Sequence, residues 1–189
     1  MKPVFRRRPF QAAMLACAVQ LAAQTATVTS TVDAAAQAMT GSLKFRGDLA
    51  DAVAKGSVDA AVAITRLKAQ GKVTGLDVDA DVDFAYGAID LGRRLAALKP
   101  AVAVTFFEAA EQSLGAVIQR TPDTSAKDKA QLLCQLAIIR CAHLGKATQA
   151  RQDIDQAIAL QPKDSYLQQA RRVMASSHAE QFRTEGGKP

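Results

Sequence analysis

The 189-residue chain contains no tryptophan, and aromatic residues make up only 5% of it. No stretch alternates apolar and polar residues over the length of a strand and then reverses at a hairpin turn. Strands favour β-branched and aromatic residues, whereas the alanine, leucine and glutamine that are frequent here favour helices. These absences argue against a β-sheet protein. They predict an all-α protein with enough residues for one hydrophobic core.

The sequence also lacks the short motifs of common enzyme classes. It has no Gly-x-Ser-x-Gly elbow, no Walker loop and no dinucleotide fingerprint. His143 and His178 have no nucleophile or metal-ligand pattern beside them. Glu108 and Glu111 have the spacing of a solvated helix face. We therefore predict a protein that is not an enzyme and binds no cofactor.

The net charge of +6 does not favour nucleic-acid binding, because of where the charges lie. Four cations are at the extreme N-terminus, at Lys2, Arg6, Arg7 and Arg8, and without them the balance is +2. The other cations are spread along helical patterns, with no basic stripe and no zinc-finger spacing. We expect an ordinary solvated surface and no nucleic-acid partner.

The N-terminal segment has the features of an export signal. The basic start is followed by the apolar stretch Gln11–Ala23, which is too short to span a bilayer, and by small residues up to Ala26. This pattern predicts a signal peptide over residues 1–26 and a periplasmic or secreted protein without a membrane span. The segment Arg7–Phe10 is similar to part of a twin-arginine signal, and Cys17 is placed as in a lipoprotein box. A lipid anchor on Cys17 is therefore the alternative.

The clearest helical pattern lies between Gln131 and Pro162. A first helix is predicted over Gln131–His143 and is apolar on more than one face. A second, over Thr148–Leu160, has a narrow apolar stripe whose members are three and four residues apart. The stripe consists of Ala150, Ile154, Ala157 and Ile158. With Gly145 in the turn and Pro162 after the second helix, the pattern predicts an antiparallel helical hairpin.

This hairpin resembles a tetratricopeptide repeat (TPR), a helix pair of about 34 residues with small residues at the helix crossing and a proline after the second helix. The matching residues are Gly145, Ala150, Ala157, Leu160 and Pro162. The first helix departs from the family, because Cys134, Ile138 and Cys141 replace its aromatic, small and tyrosine positions. The resemblance covers about a sixth of the chain.

An internal repeat at an offset of 40 residues extends the pattern. The first copy is Ala110, Gln112, Leu114, Ile118, Pro122 and Ser125, and the second is Ala150, Gln152, Ile154, Ile158, Pro162 and Ser165. In each copy the serine is predicted to cap the following helix. A repeated stripe that ends in proline is typical of stacked hairpins.

The remaining predicted helices complete the fold. They are 33–39, Phe45–Ala54, Ser57–Gln70, Asp83–Leu98, Ala101–Arg120 and Ser165–Phe182. We predict stacked antiparallel helical hairpins, a TPR-like α-solenoid, with a C-terminal capping helix. The predicted divisions are a hairpin and acidic linker at 27–79, repeats and cap at 80–182, and a disordered tail at 183–189.

Two groups of residues could suggest a metal. The alternating acids Asp77, Asp79, Asp81 and Asp83 resemble a calcium loop, but the turn glycine and the bidentate glutamate are missing. We therefore favour acids at a helix N-terminus. Cys134 and Cys141 would lie about 10 Å apart on an intact helix. That distance prevents a disulfide, so we expect two buried thiols and no metal site.

Taken together, these features predict a helical-repeat scaffold that binds a protein or peptide. In tetratricopeptide repeats, which the hairpin resembles, the first helix of each pair lines a concave face. The resemblance implies that this face consists of Leu132, Gln135, Ile139, Ala142 and His143. The capping helix would add Tyr166, Gln169, Val173 and Ser177. Two alternatives stay open. One is a structural envelope component, and the other is a small enzyme that uses a metal at Asp77–Asp83.

Overall fold

The computed structural model describes residues 41–71, 79–122, 125–179 and 182. Within these ranges the chain has no strand, so the predicted all-α class is confirmed. The helices are α1 (41–54), α2 (Ala60–Gly71), α3 (Ala80–Leu95), α4 (Pro100–Arg120), α5 (Ala126–Ala142), α6 (Ala147–Leu160) and α7 (Ser165–Ser177).

The chain divides into the compact units Met1–Lys44 and Phe45–Pro189. Of the first unit only residues 41–44 are described, and they are helical. The predicted signal peptide, Cys17, the helix at 33–39, Asp77 and the tail at 183–189 lie outside the described residues. The following paragraphs concern the second unit.

Buried apolar side chains form two clusters. Cluster 1 contains side chains from the four helices α1, α2, α3 and α4 and from one side of α5. Its largest members include Phe106, Phe107, Leu91, Leu95 and Leu114. Cluster 2 joins the other side of α5 to α6 and α7, and it contains many small residues. These small members are Ala130, Cys134, Ala137, Cys141, Ala150 and Ala157. Because α5 contributes to both clusters, it is buried on two sides, which explains its broad apolar surface.

Adjacent helices pack in pairs, chiefly α3 with α4 and α5 with α6. The links 96–99 and 143–146 are short, and a short link between two packed helices reverses the chain direction. Gly145 has a φ of +66° and Gly56 a φ of +75°, a left-handed conformation that favours glycine. The predicted turn at Gly145 is therefore confirmed.

Several predicted helix starts are wrong. Ser57 does not cap α2: its hydroxyl donates to the carbonyl of Ala52, and α2 begins at Ala60. Ser165 does not cap α7, because the Asp164 carboxylate accepts from the backbone N–H groups of Tyr166 and Leu167. At α7 an aspartate directly before the helix was available, and carboxylates are strong acceptors at this position.

Predicted helix ends also need correction. α3 stops at Leu95, which leaves Leu98 70% exposed in the turn. α7 stops at Ser177, and Phe182 packs into cluster 2 from beyond the helix.

α3 and α4 pack closely at Gly92. A Cβ atom on Gly92 would lie 2.7 Å from the Phe107 ring, so only glycine fits without movement of that ring. Phe107 in turn stacks on His143 at the end of α5, with ring centroids 4.0 Å apart. This stack attaches the end of α5 to the pair formed by α3 and α4.

α4 is long and apolar enough, by length and composition, to cross a membrane. It also supplies Phe106, Phe107 and Leu114 to cluster 1. The core helix of a soluble protein has the same length and composition, so these two properties do not identify α4 as a membrane span.

Candidate functional site

An open groove with a volume of about 450 Å³ lies between α5 and α7. Ile138, Cys141 and Ala142 line it from α5. From α7 and the residue that follows come Tyr166, Gln169, Ala170, Val173, Met174, Ser177 and His178. The groove is mainly apolar and has the size of a typical ligand site.

The sequence of α7 explains its contribution to the groove. Leu167 and Met174 are buried against cluster 2 and hold the helix in place. Tyr166 and Val173, each one residue earlier, therefore lie on an adjacent face and remain 58% and 59% exposed. Large apolar side chains that stay this exposed beside a groove are typical of interaction sites.

The nine residues predicted for a concave face do not all lie together. Five line the groove, namely Ala142, Tyr166, Gln169, Val173 and Ser177. Leu132 and Ile139 belong to cluster 1, where neighbouring helices cover them. His143 stacks on Phe107, and Gln135 is half-buried without lining the groove.

The remaining groove residues were not predicted as site residues. They are Ile138, Cys141, Ala170, Met174 and His178. Periodicity could have indicated Ile138, since it is four residues before Ala142, but the apolar pattern of α5 covers too many positions to identify one face. His178 follows the helix end and has no periodic signal.

The two described cysteines are free and buried, in agreement with the sequence prediction. Burial raises the pKa of Cys141, and it raises the pKa of Cys134 to about 11. A protonated thiol is a weak nucleophile. Cys141 therefore contributes an apolar surface to the groove, and its thiol reacts only slowly at neutral pH.

Tyr86 of α3 is a further large side chain that is 39% exposed. Burial raises the pKa of the Tyr86 phenol, and the nearby phenol of Tyr166 and thiol of Cys134 add to this effect. Two exposed tyrosines from different helix pairs thus lie within electrostatic range of each other. Tyr86 was not among the residues predicted from the sequence.

A network of ion pairs holds the helix pairs together on another side of α5. Arg140 donates to Glu111 of α4 at 2.8 Å and to Asp153 of α6 at 2.8 Å. Lys146 also donates to Glu111, at 2.6 Å. The Glu111 side chain is only 12% exposed, so its expected place on a solvated helix face is wrong.

The two carboxylates of this network differ in their pKa. Burial raises the pKa of Glu111, but hydrogen bonds from Lys146 and Arg140 outweigh burial and leave it below the ordinary value. Burial also raises the pKa of Asp153, and the hydrogen bond from Arg140 does not offset it, so the pKa stays above its ordinary value. The network is neutral overall and closed, which is typical of a structural junction.

The acidic run has a structural role in its described part. Asp79 caps α3 by accepting from the N–H of Asp81, as the favoured interpretation predicted. Arg120 donates to Asp79 and Asp81, and Arg46 donates to Asp83. Among the described residues, no group of three or more His, Cys, Asp or Glu side chains could hold a metal ion.

Comparisons with known proteins give no relative. No family model matches the chain, and neither a curated protein nor a solved structure does.

Proposed function

We propose that this protein is a non-enzymatic helical-repeat scaffold, periplasmic or secreted, that binds a protein or peptide in the groove between α5 and α7. The observation that supports the proposal is the groove itself, with Tyr166 and Val173 more than half exposed along its length. Tyrosine is enriched among residues that dominate binding energies. The buried, protonated thiols and the absence of a metal cluster among the described residues favour binding over catalysis.

The burial pattern of α4 and α6 supports a repeat of the TPR type. Ala110 and Leu114 are fully buried, as are Ala150 and Ile154 at an offset of 40. Ile118 and Ile158 are both half-buried. α4 has 21 residues and α6 has 14, a difference of seven. At an offset of 40 the two helices end at the same aligned position, so the seven extra residues of α4 precede the repeated stripe and do not change its register.

The groove is tested by capture of partners from an envelope extract with the full chain as bait. The decisive variant is Val173→Asp, which places a charge in the apolar groove. Val104→Asp is the matched control, because Val104 is 38% exposed on α4, outside the groove. We expect the wild type and the Val104 variant to retain the same protein, and the Val173 variant to lose it.

A partner that all three proteins capture equally would contradict the groove as the binding site. Export is tested separately by the intact mass of the protein after expression in a bacterium with both secretion routes. A mass that matches cleavage near Ala23 or Ala26 supports the exported form. An intact N-terminus contradicts it, and a lipid on Cys17 supports the anchored alternative.

A further inference from the structure

Three side chains of the kinds that bind soft metal ions line the groove near the ends of its two helices. Cys141 is the last but one residue of α5, Met174 lies in the last turn of α7, and His178 directly follows α7. Their donor atoms are a thiol sulfur, a thioether sulfur and an imidazole nitrogen. The thioether is a ligand of a different kind from the His, Cys, Asp and Glu side chains, which form no metal cluster in the described part of the chain.

The topology brings these three residues to the same end of the groove. α5 and α6 are joined by residues 143–146, and α6 and α7 by residues 161–164. Each short link joins two packed helices and reverses the chain, so α5 and α7 run in the same direction and their C-terminal ends lie side by side. His178 also lines a second cavity, together with residues 145–149, which directly follow the turn at the end of α5. This second cavity independently places the end of α7 near the end of α5.

The backbone holds the donors of α7 on one face. The N–H of His178 donates to the carbonyl of Met174 at 3.0 Å, so the helical bonding pattern reaches His178. Residues four apart in this pattern lie on the same face of a helix, one turn from each other. Met174 and Cys141 are both buried members of cluster 2, where neighbouring side chains restrict their movement. The two sulfur atoms therefore lose little freedom when they bind an ion.

The charge of the lining favours a monovalent ion. None of the described residues that line the groove is Asp, Glu, Lys or Arg. One thiolate, one thioether and one neutral imidazole together carry a single negative charge. A monovalent ion therefore gives a neutral complex, whereas a divalent ion leaves a positive charge in apolar surroundings, which is unfavourable. Thiolate and thioether ligands also select Cu(I), whereas structural Zn²⁺ sites take four ligands.

We propose that Cys141, Met174 and His178 bind one Cu(I) ion at this end of the groove. The ligand atoms are the Cys141 sulfur, the Met174 sulfur and one imidazole nitrogen of His178. The thiol proton of Cys141 passes to the solvent when the Cu–S bond forms, and the copper stays in the same oxidation state. The inference concerns a metal ion and not a protein or peptide, so it goes beyond the proposed function and does not depend on it.

Competition for Cu(I) with the chromophoric chelator bicinchoninate tests the inference, without oxygen and with ascorbate as reductant. The full chain carries Cys17→Ser, so that its remaining thiols are Cys134 and Cys141. The ligand variants are Cys141→Ala, Met174→Leu and His178→Gln, and Met174→Leu nearly keeps the volume of the buried side chain. Cys134→Ala is the matched control, because it removes a buried thiol of the same helix that does not line the groove. Thermal unfolding without copper verifies that each variant is folded.

We expect one Cu(I) ion per chain. Each ligand variant should bind it at least about tenfold more weakly, a change that corresponds to about 1.4 kcal/mol. Cys134→Ala should bind as tightly as the chain with both thiols. X-ray absorption at the copper edge should show two sulfur ligands and one nitrogen ligand, and Met174→Leu should lose one of the sulfur ligands.

Unchanged affinity of either folded Met174→Leu or folded His178→Gln would overturn the inference, because copper would then be held by a thiol without the predicted partner. Equal losses in Cys134→Ala and Cys141→Ala would also overturn it, because the ion would then not lie in the groove. Neither result would affect the proposed partner, which the capture experiment with Val173→Asp and Val104→Asp tests separately.

Discussion

The two hydrophobic clusters differ in the size of their side chains. Cluster 1 is filled by Phe106, Phe107 and several leucines, and four helices cover it together with part of α5. Cluster 2 consists largely of alanine and cysteine between only three helices. Small residues fill little space between helices, and the open groove lies beside cluster 2. The comparison indicates that the first region has the larger packed core, whereas the second region borders the groove that we propose binds a partner.

The largest effect is expected from Phe107→Ala, because Phe107 is 2% exposed and joins Gly92 to His143. Truncation should lower the free energy of unfolding by about 3–5 kcal/mol. Urea unfolding measures this loss. Val104→Ala, on the exposed side of the same helix, should change the free energy by less than about 0.5 kcal/mol. Similar losses for the two variants would show that cluster 1 does not dominate stability.

A smaller loss is expected when a methyl group is added at Gly92. Gly92→Ala forces Cβ against the Phe107 ring and should destabilise the protein by about 1–3 kcal/mol. Gly115 is a matched control, because a Cβ there meets nothing within 4 Å inside the same helix pair. Gly115→Ala should stabilise by about 0.5–1 kcal/mol. Thermal unfolding measures the change in Tm of both variants. Changes in Tm of the same sign would contradict the close approach of Gly92 to Phe107.

The junction between the two regions should make stability depend on pH. The pKa of Glu111 is lowered in the folded state, so Glu111 stabilises the fold above its ordinary pKa of 4.5 and this stabilisation is lost as pH falls. The advantage of the wild type over Glu111→Gln should therefore shrink below pH 4.5. Asp153 has the opposite sign, because its pKa is raised above 3.8 and its ionisation destabilises the fold as pH rises.

Urea unfolding between pH 3 and 7 would measure how the free energy of unfolding depends on pH through each of the two carboxylates. Asp155→Asn serves as the control, since Asp155 pairs with Arg171 at the surface and outside this junction. A difference between wild type and Glu111→Gln that does not change with pH would show that Glu111 is not held by Arg140 and Lys146.

The smallest effect is expected at Arg120, whose side chain pairs with Asp79 and Asp81 in an exposed position. Arg120→Ala should lower stability slightly at low salt, and the difference should disappear at high salt, because exposed ion pairs are screened. Thermal unfolding at two salt concentrations checks this. A loss that persists at high salt would indicate that Arg120 contributes by packing.

The sequence was sufficient to predict the helical class and several turns. Gly145 lies in a turn as expected, and acids of the run lie at the N-terminus of α3 as expected. These features depend on residues close in sequence, where a cap or a glycine turn is readily recognised. The predicted cap at Ser165 failed because the neighbouring Asp164 takes that position, and the predicted start at Ser57 failed because its hydroxyl bonds to the preceding helix.

The site was less predictable, because periodicity identifies an apolar face but not the neighbour that covers it. On α5, Ile139 is buried in cluster 1 while Ile138, one residue earlier, lines the groove. The burial of Glu111 depends on Arg140 and Lys146, which are 29 and 35 residues away. Neither fact has a local signal in the sequence.

The most direct test of the central claim uses Cys141, which lines the groove, with the fully buried Cys134 as an internal reference. The full chain is treated with iodoacetamide at mildly alkaline pH, with and without the partner captured by the wild type, and alkylation is measured by peptide mass spectrometry. A partner in the groove should slow alkylation of Cys141 and leave that of Cys134 unchanged. Equal alkylation of Cys141 with and without the partner would contradict binding between α5 and α7.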